Sequence, residues 1–454
     1  MLRPLPAARA LRSVDVSKEV ARLALSAMFP PGRQAVERLY PLAWLGRFSL
    51  PRFLSRISAV QLLALVLTLN IAGSLLWALD RQDGLQDLGS FLHSGAAQRE
   101  GLDPYGYYPG VQPQPISPDA LNLNPPVTVY LFDPLSRVDT TILRHAFLAG
   151  TAAIFALGVL LLLRAYPDKR DPVVLLAVFS LAGLWHLFGY LQLYAPLFLA
   201  GVGAWLMMRR GNALGAAVLI GLIVAIKPNF VLWPLFLLMA GHQRIGIAAL
   251  ATTAAVSAIP LIVDGPAIYE SWLALSLSFD GLEWASNVSL MSIGARFGLE
   301  QAGYIAGLLV VLVLLALQWR LRPSAVDSST FGIMAALLFG PASWAGYTLF
   351  LLPYLFGRQW SREVWVSVLL LCTPFWLVHY LTGLSPLTNA VFGPIYGWAV
   401  LLLLASMVAQ QLNLRERAGR VSSRAAAFAP GVYPHLRGAE PAANVGHACV
   451  LPIT

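Results

Sequence analysis

Long apolar segments recur between residues 57 and 410, and they determine the predicted architecture. A helix that crosses a membrane needs about 20 mostly apolar residues, and somewhat fewer where it is broken inside protein. The segments therefore predict an all-α, polytopic membrane helical bundle with roughly twelve transmembrane or half-membrane helices. The predicted spans are 57–79, 142–163, 172–189, 192–208, 212–226, 229–241, 245–263, 303–321, 330–342, 345–357, 363–381 and 391–410.

The composition agrees with this fold class and argues against several others. Of the 454 residues, 57% are hydrophobic and 12% are charged, whereas a soluble domain carries about twice that charged fraction. A soluble enzyme, a disordered binding segment and a disulfide-rich secreted module are therefore poor interpretations. The first apolar segment begins only near Ile57, which favours a first transmembrane helix that serves as its own targeting signal over a cleaved signal peptide.

Polar regions flank the apolar part of the chain. The basic region before the first span contains Val16, Val20 and Leu23 on one helical face, which predicts an amphipathic helix on the membrane surface. The region after the last span is rich in Ala, Gly and Pro, and we expect it to be mobile. The predicted organisation is a cytoplasmic head at 1–56, a transmembrane domain at 57–411 with outer loops at 80–141 and 264–302, and a cytoplasmic tail at 412–454.

The distribution of positive charge predicts the orientation. If the twelve spans alternate, 25 of the 31 Lys and Arg residues fall on one side, and the side rich in Lys and Arg is normally cytoplasmic. We therefore expect both termini in the cytoplasm, the two outer loops outside, and the chain in the inner (plasma) membrane. The basic composition then reflects topology and not binding of nucleic acid. The remaining cations are Arg81, Arg99, Arg137, Arg144, Lys227 and Arg296.

The first outer loop combines acids with three ordered motifs. Residues 87–95 predict a helix, 101–105 (GLDPY) a tight turn with an aromatic ring, and 124–126 (NPP) the start of an apolar stretch at 127–135 that is too short to span. An acid on such a loop can meet both a water-soluble acceptor and a lipid-borne substrate, although a solvated loop is the simpler alternative. The acids are Asp80, Asp83, Asp87, Glu100, Asp103, Asp119, Asp133 and Asp139.

These motifs resemble, in the same order, the first outer loop of the family 87 glycosyltransferases. Further motifs match later in the chain, and the resemblance covers about residues 57–357. It implies a GT-C-like membrane enzyme that uses a polyprenyl-phosphate sugar, as the mannosyltransferases and arabinofuranosyltransferases of bacterial envelopes do. The matching residues are Asp87, Phe91, Ser94 and Gly95, then 101–105, 124–126, 227–229 (KPN), 287–290 (NVSL) with Arg296, and Ser343-Trp344 followed by 351–353 (LLP).

One departure from the family pattern concerns the late Ser-Trp motif. The family often has Asp or His two or three residues after the Trp, where this chain has Gly346 and Tyr347. A role as acceptor ligand or base that relatives place there is therefore in doubt for this chain.

The resemblance assigns the catalytic acid to Asp87. A general base must take a proton from the acceptor hydroxyl while that oxygen attacks the anomeric carbon, and an ionised carboxylate within hydrogen-bond reach does this. Asp83 is the alternative base, and a purely structural acid is the remaining interpretation, because unusual carboxylates need not be catalytic.

Two cations are predicted to bind the phosphate of the donor. Lys227 separates two short apolar segments and precedes Pro228, which breaks the helix at membrane depth. A charge there is costly and normally has a partner, and a departing lipid phosphate fits, because a fixed cation stabilises its developing charge. Arg296 is the second cation. A snorkelling lysine for Lys227 and a salt bridge with Glu283 or Glu300 for Arg296 are the structural alternatives.

Sugar or acceptor binding is predicted for several further polar and aromatic residues, although aromatic side chains are common at any membrane interface. No spaced set of metal ligands is visible, so we predict neither a metal nor another cofactor, and Cys372 and Cys449 are not expected to pair. The residues predicted to bind the sugar or the acceptor are Asp103, Tyr105, Tyr190, Gln192, Asn287, Trp344 and Tyr347.

The predicted function is a membrane glycosyltransferase with an extracytoplasmic active site. The donor is a polyprenyl-phosphate sugar, with mannose first and arabinofuranose next, and the acceptor hydroxyl belongs to a glycolipid or a polysaccharide. Transfer proceeds in one displacement with inversion. The alternative is a transporter or flippase of lipid-linked sugar. Transporters more often have repeated halves and ionisable residues at the membrane midplane. No repeat is visible here, and the ionisable residues concentrate in the two outer loops, which favours the enzyme.

Overall fold

The structure is a computed structural model that describes residues 58–81, 85–115 and 117–427, with side chains up to residue 413. The chain separates into two units, Met1–Leu62 and Leu63–Thr454. The first unit lies almost wholly outside the described residues, as do Asp83 and the chain after residue 427. The predicted head, its amphipathic helix and the end of the tail therefore remain predictions.

The described chain is all-α, as the apolar pattern predicts. Within these residues the only extended pairing is an isolated antiparallel bridge between Asn287 and Trp344. The helices are α1 Ala59–Asp80, α2 Gln86–Arg99, α3 Val127–Phe132, α4 Thr140–Ala165, α5 Pro172–Ser180, α6 Ala182–Tyr190, α7 Tyr194–Arg209, α8 Ala213–Ile226, α9 Leu232–Met239, α10 Gln243–Asp264, α11 Ala267–Leu277, α12 Leu290–Arg296, α13 Glu300–Leu321, α14 Ala325–Phe339, α15 Leu352–Phe356, α16 Arg362–Leu371, α17 Phe375–Thr382, α18 Pro386–Phe392 and α19 Ile395–Ala427.

Several helices have the length and composition of membrane spans. Five described segments qualify singly, and two bent pairs, α5 with α6 and α16 with α17, raise the number to seven. Their outer surfaces are apolar and exposed: Leu76 is 67% exposed and Ile262 80% exposed. Such surfaces are stable against lipid and not against water. The chain is therefore a helical membrane protein. The five single spans are Ala59–Asp80, Thr140–Ala165, Gln243–Asp264, Glu300–Leu321 and Pro386–Asn413.

Shorter helices and breaks occupy the middle of the bundle. Helix α8 ends at Ile226, and Lys227 follows it as the C-cap residue. Pro228 then starts a 3₁₀ turn, Pro228–Val231, before α9, so the break predicted at this position is present. Helices α5 and α6 bend by 41° around Leu181, and α16 and α17 by 76° before Phe375. Broken helices leave backbone groups that must be covered by protein or must line a cavity. One end of a large cavity lies at the break beside Lys227, and Phe375, at the start of α17, also lines it.

The first outer loop folds onto the bundle as a small layer. Helix α2, predicted from residues 87–95, has nearly all of its residues from Gln86 to Ala97 buried by protein. It packs on α3, the short apolar helix that forms within the predicted stretch 127–135. The two helices approach closely at Gly95, where the backbone of Phe132 and Asp133 leaves no room for a Cβ atom. This packing sets the position of Asp87, in the first turn of α2.

Candidate active site

A cavity of about 870 Å³ opens between the outer loops and the broken helices. It has a buried end, where Asp87 and Lys227 face it, and an exposed rim, where Trp284 and Glu283 face it. Its polar and aromatic lining comprises Asp87, Ser90, Phe91, Asp119, Asn124, His186, Tyr190, Gln192, Tyr194, Lys227, Ser278, Phe279, Asp280, Glu283, Trp284, Ser286, Trp344, Phe375, His379, Thr382 and Asn389.

Asp87 is held at the buried end by the turn between α6 and α7. Gln192 follows Leu191, which has a left-handed φ of 51° and ends α6. The Gln192 Nε2 atom donates a hydrogen bond to the Asp87 Oδ2 atom. This bond joins the outer-loop helix α2 to the membrane bundle and orients the carboxyl group towards the cavity.

The environment of Asp87 raises the pKa of its carboxyl group towards neutral pH. Burial raises the pKa of the Asp87 carboxyl from 3.8 to about 7, and the positive charges of Lys227 and, to a lesser extent, Arg81 oppose that rise. The side chain keeps part of its surface towards the cavity, while protein atoms surround the carboxyl group elsewhere. A carboxyl group with a pKa near the working pH is suited to accept a proton during catalysis.

Lys227 lies opposite Asp87 at the break between α8 and α9. Its side chain is 8% exposed, and its Nζ atom donates a hydrogen bond to the Asn124 Oδ1 atom. The same atom lies 4.7 Å from the ring centre of Tyr194 and 5.6 Å from that of Tyr347. Aromatic faces stabilise a cation without neutralising it, so the two rings favour the charged form of Lys227 beside the cavity.

A chain of buried side-chain amides connects Lys227 to helix α2. Asn124 Nδ2 donates to Asn122 Oδ1 at 2.8 Å, and Asn122 Nδ2 donates to Ser94 Oγ at 3.2 Å. Ser94 lies two turns after Asp87 on α2 and donates to the Pro104 carbonyl oxygen at 2.7 Å. All of these groups are buried, and a hydrogen-bonded buried network fixes a single arrangement of its members.

A second cation lies near the buried end of the cavity. The Arg81 guanidinium, one residue after α1, lies 5.3 Å from the ring centre of Trp77 and 5.0 Å from that of Tyr190. Tyr190 itself lines the cavity. Two cations therefore act on Asp87, one from the end of the first span and one from the break in the bundle.

The exposed rim is built on stacked aromatic rings. Trp284 stacks on Trp344 with ring centres 5.6 Å apart and planes at 27°, and Phe279 presents its edge to both. The backbone bridge at Asn287 fixes Trp344, because Val288 N donates to the Ser343 carbonyl oxygen at 2.7 Å. The segments around Asn287 and around Trp344, which are far apart in sequence, are thus joined beneath the rim.

Five of the residues predicted from sequence meet on this cavity, and five do not line it. Asp103 accepts a bond from the Tyr105 backbone nitrogen, and Tyr105 donates to the Asn124 carbonyl oxygen. Asn287 Nδ2 donates to the Pro341 carbonyl oxygen at 2.6 Å. Asp83 lies outside the described residues. The cavity is lined by Asp87, Tyr190, Gln192, Lys227 and Trp344, and it is not lined by Asp103, Tyr105, Asn287, Arg296 and Tyr347.

Arg296 lies behind the rim of the cavity. Its NH2 atom donates to the Trp284 carbonyl oxygen at 2.8 Å, and its NH1 atom donates to Asn389 Oδ1. Neither Glu283 nor Glu300 forms a salt bridge with it among the described pairs. Its predicted contact with phosphate would need these bonds to be exchanged, and it stays a prediction.

Sequence reasoning did not assign several cavity residues. Asn124 was noted only as part of a motif, and Arg81 only as an outer charge. His379 and Asn389 come from α17 and α18, where no motif marks them, and only the fold brings them to the cavity. Trp284 lies three residues before Asn287, and this proximity is the one signal that points to it.

No metal centre is apparent in the described part of the chain, since no three His, Cys, Asp or Glu side chains there are grouped closely enough to hold an ion. The expectation of a metal-free reaction stays a prediction.

Comparison with known proteins gives one match. The sequence model of glycosyltransferase family 87 matches residues 122–341, so the resemblance to this family is confirmed over that range. The match includes Asn124, Lys227, Trp284 and Arg296, and it begins after Asp87. No curated protein and no solved structure matches the chain. The family match and the apolar helices support a membrane glycosyltransferase.

Proposed function

We propose that this protein transfers a sugar from a polyprenyl-phosphate donor to an acceptor hydroxyl on the extracytoplasmic side of the inner membrane. Mannose is the first candidate sugar and arabinofuranose the second, because the resemblance to family 87 favours them in that order. The observation that carries the proposal is that Asp87, in the first turn of α2, and Lys227, at the break between α8 and α9, face one cavity.

The proposed reaction is a single displacement with inversion. The acceptor oxygen forms a bond to the anomeric carbon as the bond from that carbon to the phosphate oxygen breaks. Asp87 takes the proton of the attacking hydroxyl, and polyprenyl phosphate leaves with the bonding electrons. Among the described residues, the charged groups that act most on Asp87 are the cations Lys227 and Arg81, which favours a single carboxylate that acts as a base over a pair of interacting carboxylates.

Lys227 is the proposed phosphate-binding residue. A fixed cation in a dry site stabilises the charge that develops on the leaving oxygen. Its bond to a neutral amide, Asn124, and its place over two tyrosine rings leave its charge uncompensated by a directly bonded carboxylate. In this proposal Arg296 contributes to the phosphate site only if it releases Asn389, and Arg81 lies nearer to the reacting groups.

A lipid-borne donor explains the location of the site. Nucleotide sugars are cytoplasmic, whereas a polyprenyl-phosphate sugar can present its head group at the outer surface. The cavity combines charged groups at the buried end with apolar walls from Phe91, Leu123 and Phe375, which suits a ligand that is polar at one end and apolar at the other.

The test is transfer of radiolabelled sugar by purified protein in lipid nanodiscs. The donors are polyprenyl-phosphate mannose, arabinofuranose and glucose, and the acceptor is an envelope lipid extract. Asp87→Asn should lower kcat by at least about 10³-fold, as expected for loss of a general base together with its positioning. The control is Asp139→Asn, because Asp139 caps α4 through Thr141 and Ile142 and Asn caps equally well.

Transfer that survives Asp87→Asn would remove Asp87 as the base and move attention to Asp83. If no donor supports transfer while lipid-linked sugar moves across the bilayer, the proposed glycosyltransferase activity is rejected and a flippase is favoured. The stereochemistry of the product, read by NMR, separately tests inversion.

A further inference from the structure

We propose that the exposed rim of the cavity is a binding site for a carbohydrate acceptor, with a sugar ring seated on Trp284. This inference rests on the proposed function and deepens it, since it assigns the binding of the acceptor's sugar to particular residues. It rests on the aromatic and polar groups of the segment 278–284, which follows α11 and includes the 3₁₀ turn Gly281–Glu283, and on those of α17 and α18. These groups take no part in the chemistry proposed for the buried end.

The aromatic part of the rim is a fixed platform. Trp284 is 58% exposed although it stacks on Trp344, which is 9% exposed. Phe279 braces both rings edge-on, with ring centres at 5.8 Å and 5.6 Å. A large aromatic surface that is rigid yet open suits a ligand with an apolar face, and the C–H face of a pyranose ring is such a surface.

Polar groups surround this platform on the cavity wall. Asp280 and Glu283 supply carboxylate acceptors, and His379, Thr382 and Asn389 add further donors and acceptors. A sugar hydroxyl both donates and accepts, so a mixed set binds it better than charges of one sign. The combination of aromatic face and mixed polar edge matches a ring that is apolar on its face and polar on its circumference.

The rim is preorganised from behind by Arg296. One terminal nitrogen of its guanidinium binds the Trp284 carbonyl oxygen and the other binds Asn389 Oδ1. Gly393 leaves the space that the guanidinium occupies, since a Cβ atom there would overlap it. A single buried cation thus fixes the aromatic platform and one of its polar neighbours, and a preformed site binds with less loss of conformational freedom.

The exposed carboxylates argue against a lipid chain as the occupant of the rim. Asp280 and Glu283 are both exposed, and carboxylates are costly in hydrocarbon. The rim therefore faces water or head groups, and the ligand that reaches it is the carbohydrate part of an acceptor and not the isoprenoid of the donor.

The first experiment measures binding without any reaction. Saturation-transfer NMR is recorded on protein in nanodiscs with mannobiose, cellobiose and chitobiose as probes, and with sorbitol as an open-chain polyol. Maltoside detergents are avoided, because their sugar head groups would occupy the site. We expect at least one disaccharide to receive saturation from wild type, sorbitol to receive none, and Trp284→Ala to abolish the signal. Trp319→Ala, which removes a tryptophan 61% exposed on α13, should leave the signal intact.

The second experiment measures transfer to the disaccharide that binds. Trp284→Ala should raise the acceptor KM about tenfold, an effect within the range of one aromatic contact, while Trp284→Phe should raise it less. The KM for the donor and the slow hydrolysis of donor by water should stay unchanged, because the buried end is intact. A change in donor hydrolysis would mean that Trp284 acts on the reacting groups and would overturn the assignment.

The outcomes separate this inference from the proposed function. Binding that depends on Trp284, without transfer from any donor, would keep the carbohydrate site and reject the transferase. If transfer occurs and Trp284→Ala leaves the acceptor KM unchanged, the protein is a transferase but the proposed carbohydrate site at Trp284 is rejected. Failure of all three disaccharides to bind wild type would also reject the site.

Discussion

At the scale of single residues, the pKa of Asp87 makes a prediction about the pH dependence of transfer. A general base works only when ionised, and burial places the pKa of Asp87 at about 7. The logarithm of kcat/KM should therefore rise with a slope near one as pH increases towards about 7. Rates of transfer measured between pH 5 and 9 check this, and a flat profile below pH 6.5 would contradict it.

The same pH profile tests the neighbour of Asp87. Lys227 stabilises the ionised form of Asp87, so Lys227→Gln should raise the pKa of Asp87 further and move the acidic limb to higher pH. Arg137→Gln is the matched control, since Arg137 pairs with Asp133 at an exposed position, 61% of its side chain being accessible. The acidic limb of the pH profile of Arg137→Gln should coincide with that of wild type. If the acidic limb of Lys227→Gln also stays at the wild-type pH, Lys227 does not influence the ionisation of Asp87.

Asn124 connects Lys227 to helix α2 through hydrogen bonds, and its substitution should weaken the binding of the donor. In Asn124→Asp, the new carboxylate competes with the donor phosphate for Lys227, so the donor KM should rise by about tenfold, which corresponds to about 1.4 kcal/mol. The acceptor KM should be unchanged, because the rim is untouched. Asn212→Asp is the control, as Asn212 caps α8 and Asp caps equally well.

Steady-state rates at varied donor concentration measure this effect. An unchanged donor KM in Asn124→Asp would mean that Lys227 does not bind the donor phosphate.

At the scale of elements, helices α2 and α3 pack so closely at Gly95 that a larger side chain there should destabilise the protein. A Cβ atom at Gly95 would lie 2.5 Å from Asp133 N and 2.6 Å from the Phe132 carbonyl carbon. Both are backbone atoms, so the helices must separate, and overpacking of this kind costs about 1–3 kcal/mol. Gly95→Ala should therefore lower the thermal midpoint and also kcat, because Asp87 begins the same helix.

Gly150→Ala provides the comparison for Gly95→Ala. Gly150 lies inside α4 with no atom within 4 Å of a new Cβ. Replacement of a helical Gly by Ala at an open position is neutral or stabilising by up to about 1 kcal/mol. Thermal unfolding of both variants in nanodiscs at one heating rate measures the difference. Equal midpoints would refute the close packing of α2 on α3.

The helices were predictable from sequence to a greater degree than the cavity. Apolar length and the Pro228 break are local properties, so the apolar helices and the interruption beside Lys227 follow from the hydropathy pattern. Of the twelve predicted spans, five to seven are long enough in the described chain to cross a membrane. Asp87 and Gln192 meet because α2 packs on the turn after α6, and Asn389 reaches the same cavity from α18. Such long-range contacts depend on packing between distant segments, which a single sequence does not encode in any local pattern.

At the scale of the whole molecule, the loops that the charge pattern assigns to one side contact one another. The Arg209 guanidinium lies 4.4 Å from the Tyr166 ring centre, and Trp205 donates to the Tyr166 hydroxyl. Arg358 pairs with Asp327, and His242 contacts the Pro323 carbonyl oxygen. On the other side Gln98 donates to Asp264 at 2.7 Å, which joins the two outer loops. These contacts join loops that the charge pattern assigns to the same side, and the orientation of the chain stays a prediction.

The native cysteines allow the orientation itself to be tested. Cys372 is buried, so a membrane-impermeant maleimide added to intact spheroplasts should label neither Cys372 nor Cys449 if the tail is cytoplasmic, and permeabilisation should expose Cys449 alone. In a Cys449→Ser background, Glu100→Cys at the exposed end of α2 should be labelled without permeabilisation. Labelling of Cys449 in intact spheroplasts would invert the topology. The cavity would then face the cytoplasm, where nucleotide sugars are available, and the main argument for a lipid-borne donor would fall.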